Sequence, residues 1–297
     1  MLGPGRYLLG ALEVVALTGF AGLGGWSVKR RFLPDLTGLV GGLASGVLTL
    51  ALLIWAAEIL GTLGIWTPVA YAAFVAALGV CLWTLLGRVA RGEGVEDDRA
   101  RRSPPPATGP ARRGLDIPTL IALVVAVIAV VHFAAGVKTR LSTGMTGFDS
   151  TWYHGPFAAG FFQSGDTWGL HFIAPQFLAW FYPANSEVFH AAGMLAFGRD
   201  VLSPLLNLGW FVGCLFACWC IGRPYRVGAL SLGLGAIALS VPALEDQAGE
   251  ARNDIVGIFF LLAAVALALN AAVPRSAGRV GAEANATVGR AGGRTEA

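Results

Sequence analysis

Charge is scarce in this sequence. Asp, Glu, Lys and Arg together make up 13% of it, where a soluble domain carries roughly 25%. The scarcity is uneven: several long stretches hold almost no charge at all, which excludes an ordinary water-soluble domain. Cysteine is equally sparse. Three of the four, Cys214, Cys218 and Cys220, fall in one apolar run and Cys81 in another, so there is no disulfide framework and the pattern points to buried packing. No His or carboxylate stands near the three in sequence, which argues against a zinc site. A secretory leader is not expected either, because the apolar stretch from Tyr7 contains Glu13 and lacks a small-residue cleavage site. The net charge of +3 gives no footprint for a nucleic-acid partner.

Apolar residues are what remains. They form 55% of the chain, and mean hydropathy is +0.65. Their runs are continuous rather than alternating, which excludes a β-barrel, and they reach the roughly 17–25 residues that a membrane-spanning helix needs. The expected fold class is an all-α polytopic membrane protein. Seven spans are expected, near residues 7–25, 36–59, 68–87, 117–137, 201–221, 228–244 and 255–273. Residues 186–197 are apolar but about a dozen long and carry Glu187 and His190, so they are expected to lie as a helix at the membrane surface.

The basic residues orient these spans. Lys29 to Arg31, seven arginines between 88 and 113, Arg223, Arg226 and four arginines after 274 make 16 of the 21 basic residues. All fall on one side if the spans alternate, and a surplus of Lys and Arg marks the cytoplasmic side. Arg6, Lys138, Arg140, Arg199 and Arg252 then lie outside. Four regions follow: a three-helix membrane segment (1–90), a cytoplasmic Pro- and Arg-rich linker (91–116), a membrane module (117–273) with a large outer loop (138–200), and a Gly-, Ala- and Arg-rich tail (274–297) expected to be disordered.

The outer loop is too aromatic for a free loop, and Trp and Tyr favour the headgroup zone. It is expected to form short interfacial helices, a platform suited to a lipid substrate with a polar head. Its polar residues cluster in GFDSTWYHGPF (147–157). Asp149 there and Asp254, which opens the last span, fall on the same outer side. Such a pair can supply a general base, hold a divalent cation or cap two helices. His132 is expected to be packed within the fourth span. His154, His171 and His190 lie outside beside aromatics. Glu13 and Glu58, at membrane depth, are costly to bury and so are candidates for function.

The motifs FDSTWYH (148–154), FYPANSE (181–187) and EARND (250–254) together resemble the GT-C superfamily of membrane glycosyltransferases. Those enzymes carry an acidic motif in the first large outer loop, a Tyr-Pro-rich stretch after it, and a second acid one outer loop later, two spans on. The resemblance covers about residues 117–273. It implies an enzyme that moves a sugar from a polyprenyl-phosphate donor to an acceptor, with its active site on the extracytoplasmic face of the plasma membrane. By the same resemblance Asp149 matches the first-loop acid and acts as base. Asp254 matches the second acid, which in some branches binds a metal, so a divalent cation would sit between Asp149 and Asp254. Arg252, Lys138 or Arg140 would hold the departing phosphate. Tyr153 and His154 would shape the sugar pocket, with Glu187 of the second motif among the substrate-binding residues. Members of the family continue well beyond seven helices, so the resemblance implies a chain truncated at its C-terminus and a partner chain that supplies the missing half. The competing class is non-enzymatic: a membrane scaffold, a transporter-like subunit or a lipid-head binding module.

Overall fold

The computed structural model describes residues 3–92, 116–169 and 184–273. Most of the expected linker, the whole of the expected tail, His171 and the Phe181–Pro183 part of the second motif lie outside the described residues. Every regular element among the described residues is helical. In chain order these are α1 (Pro4–Phe32), α2 (Gly38–Thr62), α3 (Pro68–Gly92), α4 (Ile117–Thr143), a wide π-type turn (Ser150–His154), α5 (Gly155–Ser164), α6 (Asn185–Phe197), α7 (Ser203–Gly222), α8 (Gly228–Leu239), α9 (Pro242–Glu245) and α10 (Asp254–Ala272). Backbone groups in lipid find no water, so each apolar run must satisfy them within itself, and the helix does so.

Among the described residues six helices are long and apolar enough to cross a membrane: α1, α2, α3, α4, α7 and α10. This is a multi-pass membrane protein. Its outer surface carries large apolar side chains, among them Val15, Trp55, Val69, Val127 and Leu261. In water such a surface would drive aggregation; in a bilayer it faces lipid.

The expected span at 228–244 needs correction. It is a 12-residue helix, α8, which rises about 18 Å where the hydrocarbon core is about 30 Å thick. The chain then breaks at Ser240 and Val241 and resumes as the single turn α9 at Pro242. Proline has no N–H for the preceding turn, so a helix cannot run through it unbroken. The chain still returns to the end from which α7 started, because residues 245–250 climb along the last turns of α4. His132 of α4 meets Glu245 at 3.0 Å. A Cβ on Gly249, whose φ is +76°, would strike Arg140 at 2.6 Å, so only glycine fits between the two strands of chain.

Two further expectations change. His132 is not packed: 65% of its side chain is exposed, against Glu245. Helix α6 forms where expected and is too short to span, but it does not lie on a surface. Ser186 to Ala191 and Gly193 to Phe197 are buried, enclosed by α1, α2, α5 and α7. The Arg6 side chain on α1 donates to the carbonyls of Phe197 and Leu195, satisfying the end of α6 where a cation is also favoured by the helix dipole.

The core joins both halves of the sequence. Phe133 on α4 stacks on Phe211 of α7 at 4.5 Å, and Trp210 meets Phe189, Phe259 and Phe260 from α6 and α10. Close approach elsewhere relies on small residues: a Cβ on Gly79 of α3 would lie 2.2 Å from the Phe20 carbonyl of α1. One end of the bundle holds the α2–α3 turn, residues 144–169, the start of α7 and residues 245–254. The other holds Lys29 to Arg31, Arg223 and Arg226.

Candidate functional site

The polar residues of the first and third motifs meet at the first of these ends. Arg252 donates to Asp149 Oδ2 from Nε at 3.2 Å and from Nη2 at 2.9 Å. The segments that carry them lie 103 residues apart in sequence. Both side chains remain about 30% exposed, so the pair is reachable from outside. Hydrogen bonding to Asp149, with Asp149, Asp254 and Asp246 also contributing attraction, holds the Arg252 guanidinium above its ordinary pKa. Asp254 therefore lies within electrostatic reach of the same cation.

Neither acid caps a helix. Asp149 makes no side-chain bond to the turn it precedes. The residue at the cap of α10 is Asn253, again without a side-chain bond, and Asp254 Oδ2 instead accepts from Gln247 Nε2 at 3.0 Å. The capping alternative thus fails at both positions, although a carboxylate in the first turn of α10 is still favoured by the helix dipole.

A buried layer beneath the pair fixes its geometry. Glu250 is fully buried. Its Oε1 accepts from Arg140 Nε at 2.8 Å and from the backbone N–H groups of Thr146 and Gly147 at 3.1 and 3.0 Å. The Ala251 N–H donates to Ser150 Oγ at 3.0 Å. Asn207, at the start of α7, is also fully buried, and its Nδ2 serves the carbonyls of Gln247, Glu250 and Arg252 at 3.0 Å each. Gln247 closes the loop by accepting from the Ile255 N–H at 3.2 Å. The loop at 246–252 is thus bonded both to α7 below it and to the segment that carries Asp149. Glu250 Oε2 and Asn207 Oδ1 have no partner among the described residues, but the bonds that are made favour one arrangement, because each lost partner costs desolvation.

The π-type turn at Ser150–His154 positions the remaining candidates. Its wide coil lets both Ser150 and His154 point inward while Thr151 and Trp152 stay exposed. Such turns occur often at functional sites. His154 Nδ1 meets Glu187 Oε1 of α6, both nearly fully buried. Next to them His190 is buried with neither ring nitrogen partnered among the described residues; burial, with His154 nearby, pushes it down to about 3. Tyr153 packs on His154 and Phe157 at ring distances of 4.1 and 6.0 Å.

The candidates therefore divide into three groups. Asp149, Arg252 and Asp254 share one accessible surface. His154 and Glu187 form a separate buried pair between the turn and α6. Arg140 is engaged by Glu250 and by Thr146 Oγ1, and exposed Lys138 makes no ion pair among the described residues. Glu58 on α2 faces Thr167, and Arg6 exerts attraction on Glu13. Among the described residues no three His, Cys, Asp or Glu side chains are grouped so as to hold a metal ion. Residues 170–183 of the aromatic outer loop lie outside the described residues.

Sequence reasoning passed over Glu250, Gln247 and Asn207. A signal was present for two of them, Glu250 and Asn207. Glu250, Arg252 and Asp254 alternate acid, base and acid within five residues, and Asn207 is a lone amide entering an apolar run, where an unpaired polar group would be costly. No family model, curated protein or solved structure matches the chain.

Proposed function

We propose that the chain is a membrane glycosyltransferase of GT-C type, acting at the extracytoplasmic face of the plasma membrane on a polyprenyl-phosphate-linked sugar. The observation that carries this reading is the Asp149–Arg252 pair, a carboxylate and a guanidinium side by side where both can be reached. The donor phosphate competes with Asp149 for Arg252, so donor arrival draws the guanidinium away and frees the carboxylate. Asp149 then takes the proton from the acceptor hydroxyl. The acceptor oxygen forms the new bond to the anomeric carbon, and the bond from that carbon to the phosphate oxygen breaks. The polyprenyl phosphate leaves with the bonding electrons, its charge stabilised by Arg252. Asp254 keeps Arg252 oriented by attraction. The metal that some branches of the family place at the two acids finds no ligand set among the described residues, and no step here uses one.

The test is transfer from a labelled polyprenyl-phosphate sugar by the purified full-length protein in lipid nanodiscs, alone and with membrane extract as the source of a partner. Asp149→Asn keeps the shape and removes the base. Transfer should fall about 10²–10⁴-fold while donor binding persists. Exposed Thr151→Ala is the control, because Ser150 is part of the buried scaffold. Unchanged transfer by Asp149→Asn refutes the assignment. Donor binding without transfer by the wild type would select the lipid-head binding module instead, a reading that the mutual neutralisation of Asp149 and Arg252 favours.

A further inference from the structure

The other end of the molecule carries a second feature. Because α8 is short, the space between it, α7 and α10 is not filled. A groove of about 430 Å³ runs there, lined by Val227, Leu230, Leu234, Ala238, Ile258 and Leu262 among others. The polar side chain on its wall is spent internally: Ser231 Oγ donates to the Cys218 carbonyl at 2.6 Å. The groove is therefore apolar along its whole length, and its lining on α8 runs from one end of that helix to the other. Twelve residues rise about 18 Å, slightly more than half of a hydrocarbon core of about 30 Å. That is the depth of one leaflet.

The mouth of the groove is basic. The residue before Val227 is Arg226, exposed in a tight turn with φ of +60°, and Arg223 begins the same turn. Neither has an acidic partner among the described residues. Lys29, Arg30 and Arg31 stand at the same end of the bundle, where Asp35 of the α1–α2 turn is an acid, so an anion there meets a surplus of cations. An apolar slot one leaflet deep, capped by two unpaired arginines, is complementary to a molecule with an acyl chain and an anionic head. Basic pockets between spans at the cytoplasmic end are known to take such heads.

We propose that this groove binds one anionic phospholipid, its acyl chain along α8 and its phosphate at Arg226 and Arg223. The site stands apart from the Asp149–Arg252 surface, at the opposite end of the bundle, and does not depend on the function proposed for that surface. The lipid fills the gap that a full-length span would otherwise close.

The experiment is native mass spectrometry of the full-length protein released from detergent micelles, titrated with phosphatidylglycerol or with phosphatidylcholine of the same acyl chains. The wild type should keep one phosphatidylglycerol in preference to phosphatidylcholine. Each of Arg226→Ala and Arg223→Ala should weaken that preference about fivefold, the value of one arginine at an anionic surface. Ala238→Trp, which fills the groove without touching the head site, should lower retention of both lipids. Arg30→Ala serves as the control for diffuse surface charge, since its guanidinium sits over Trp26 at 4.6 Å. Four results would overturn the proposal: equal retention of the two lipids, equal losses from Arg30→Ala and Arg226→Ala, no effect of Ala238→Trp, or a dimer that Ala238→Trp dissociates, which would make a second copy the occupant.

Discussion

Replacing Glu250 by Gln tests the claim that a buried strut holds the two motifs in register. The substitution preserves size and leaves one neutral oxygen where a carboxylate served three donors: Arg140, Thr146 and Gly147. Hydrogen bonds to a charged acceptor contribute about 1.5–3 kcal/mol, and those to a neutral one about 0.5–1.5. The loss is then about 1 kcal/mol at each of the two backbone donors. The Arg140 bond loses less, because that side chain is 29% exposed and water can replace part of the attraction. The new amide NH2 group would also occupy the Oε2 position, which has no partner among the described residues. A total of about 2–3 kcal/mol follows, or roughly 5–10 °C in melting temperature by the scaling for domains of this size. The assay is thermal unfolding in detergent, followed by tryptophan fluorescence, for Glu250→Gln, Arg140→Gln and the double variant. Contacting residues should couple by about 0.5–3 kcal/mol, so the double variant should be less destabilised than the sum of the singles. A Glu250→Gln protein that melts within about 1 °C of the wild type, or strictly additive single effects, would show that the strut does not hold the site together.

His190 provides a pH signature. Its folded value of about 3 lies below the ordinary 6.5, so the fold holds it neutral; the stability this gives is complete above about pH 6.5 and drains as pH falls toward 3, by at most about 1.4 kcal/mol per pH unit. Melting curves between pH 7.5 and 5 should flatten in His190→Met, and an unchanged acid slope would assign the effect to other groups. Topology can be read by cysteine labelling on a background without native cysteines: Phe148→Cys, exposed beside the site, should react with an impermeant reagent added to intact cells, and Tyr225→Cys, exposed at the basic end, should not. The reverse pattern would put the Asp149 surface in the cytoplasm and remove the proposed reaction.

The sequence determined what local chemistry can determine. Long apolar runs must become helices in lipid, so six spans were legible, and Asp116 bonding the Thr119 N–H starts α4 where the run begins. Alternation put Asp149, Arg252 and Asp254 at one end of the bundle only by counting residues 228–244 as a span, which α8 is too short to be. Tertiary structure decided the rest, wherever the outcome depended on a partner far away in sequence. Pro242 and Gly249 mark a break within an apolar stretch, but only the path along α4 shows that a 12-residue helix and an irregular climb still bring the chain back to the start of α7. His132 reads as a packed residue within a span until Glu245 arrives beside it, 113 residues later. Residues 186–197 read as a surface helix because Glu187 and His190 are too polar for lipid; α1, α2, α5 and α7 instead enclose the helix, and His154 meets the glutamate. Glu250 carries no local sign of its partners: the N–H groups of Thr146 and Gly147 come from a loop 104 and 103 residues away. Composition and periodicity report how each segment meets its solvent, whereas the pairing of buried polar groups is a property of two segments at once, and neither segment encodes it alone.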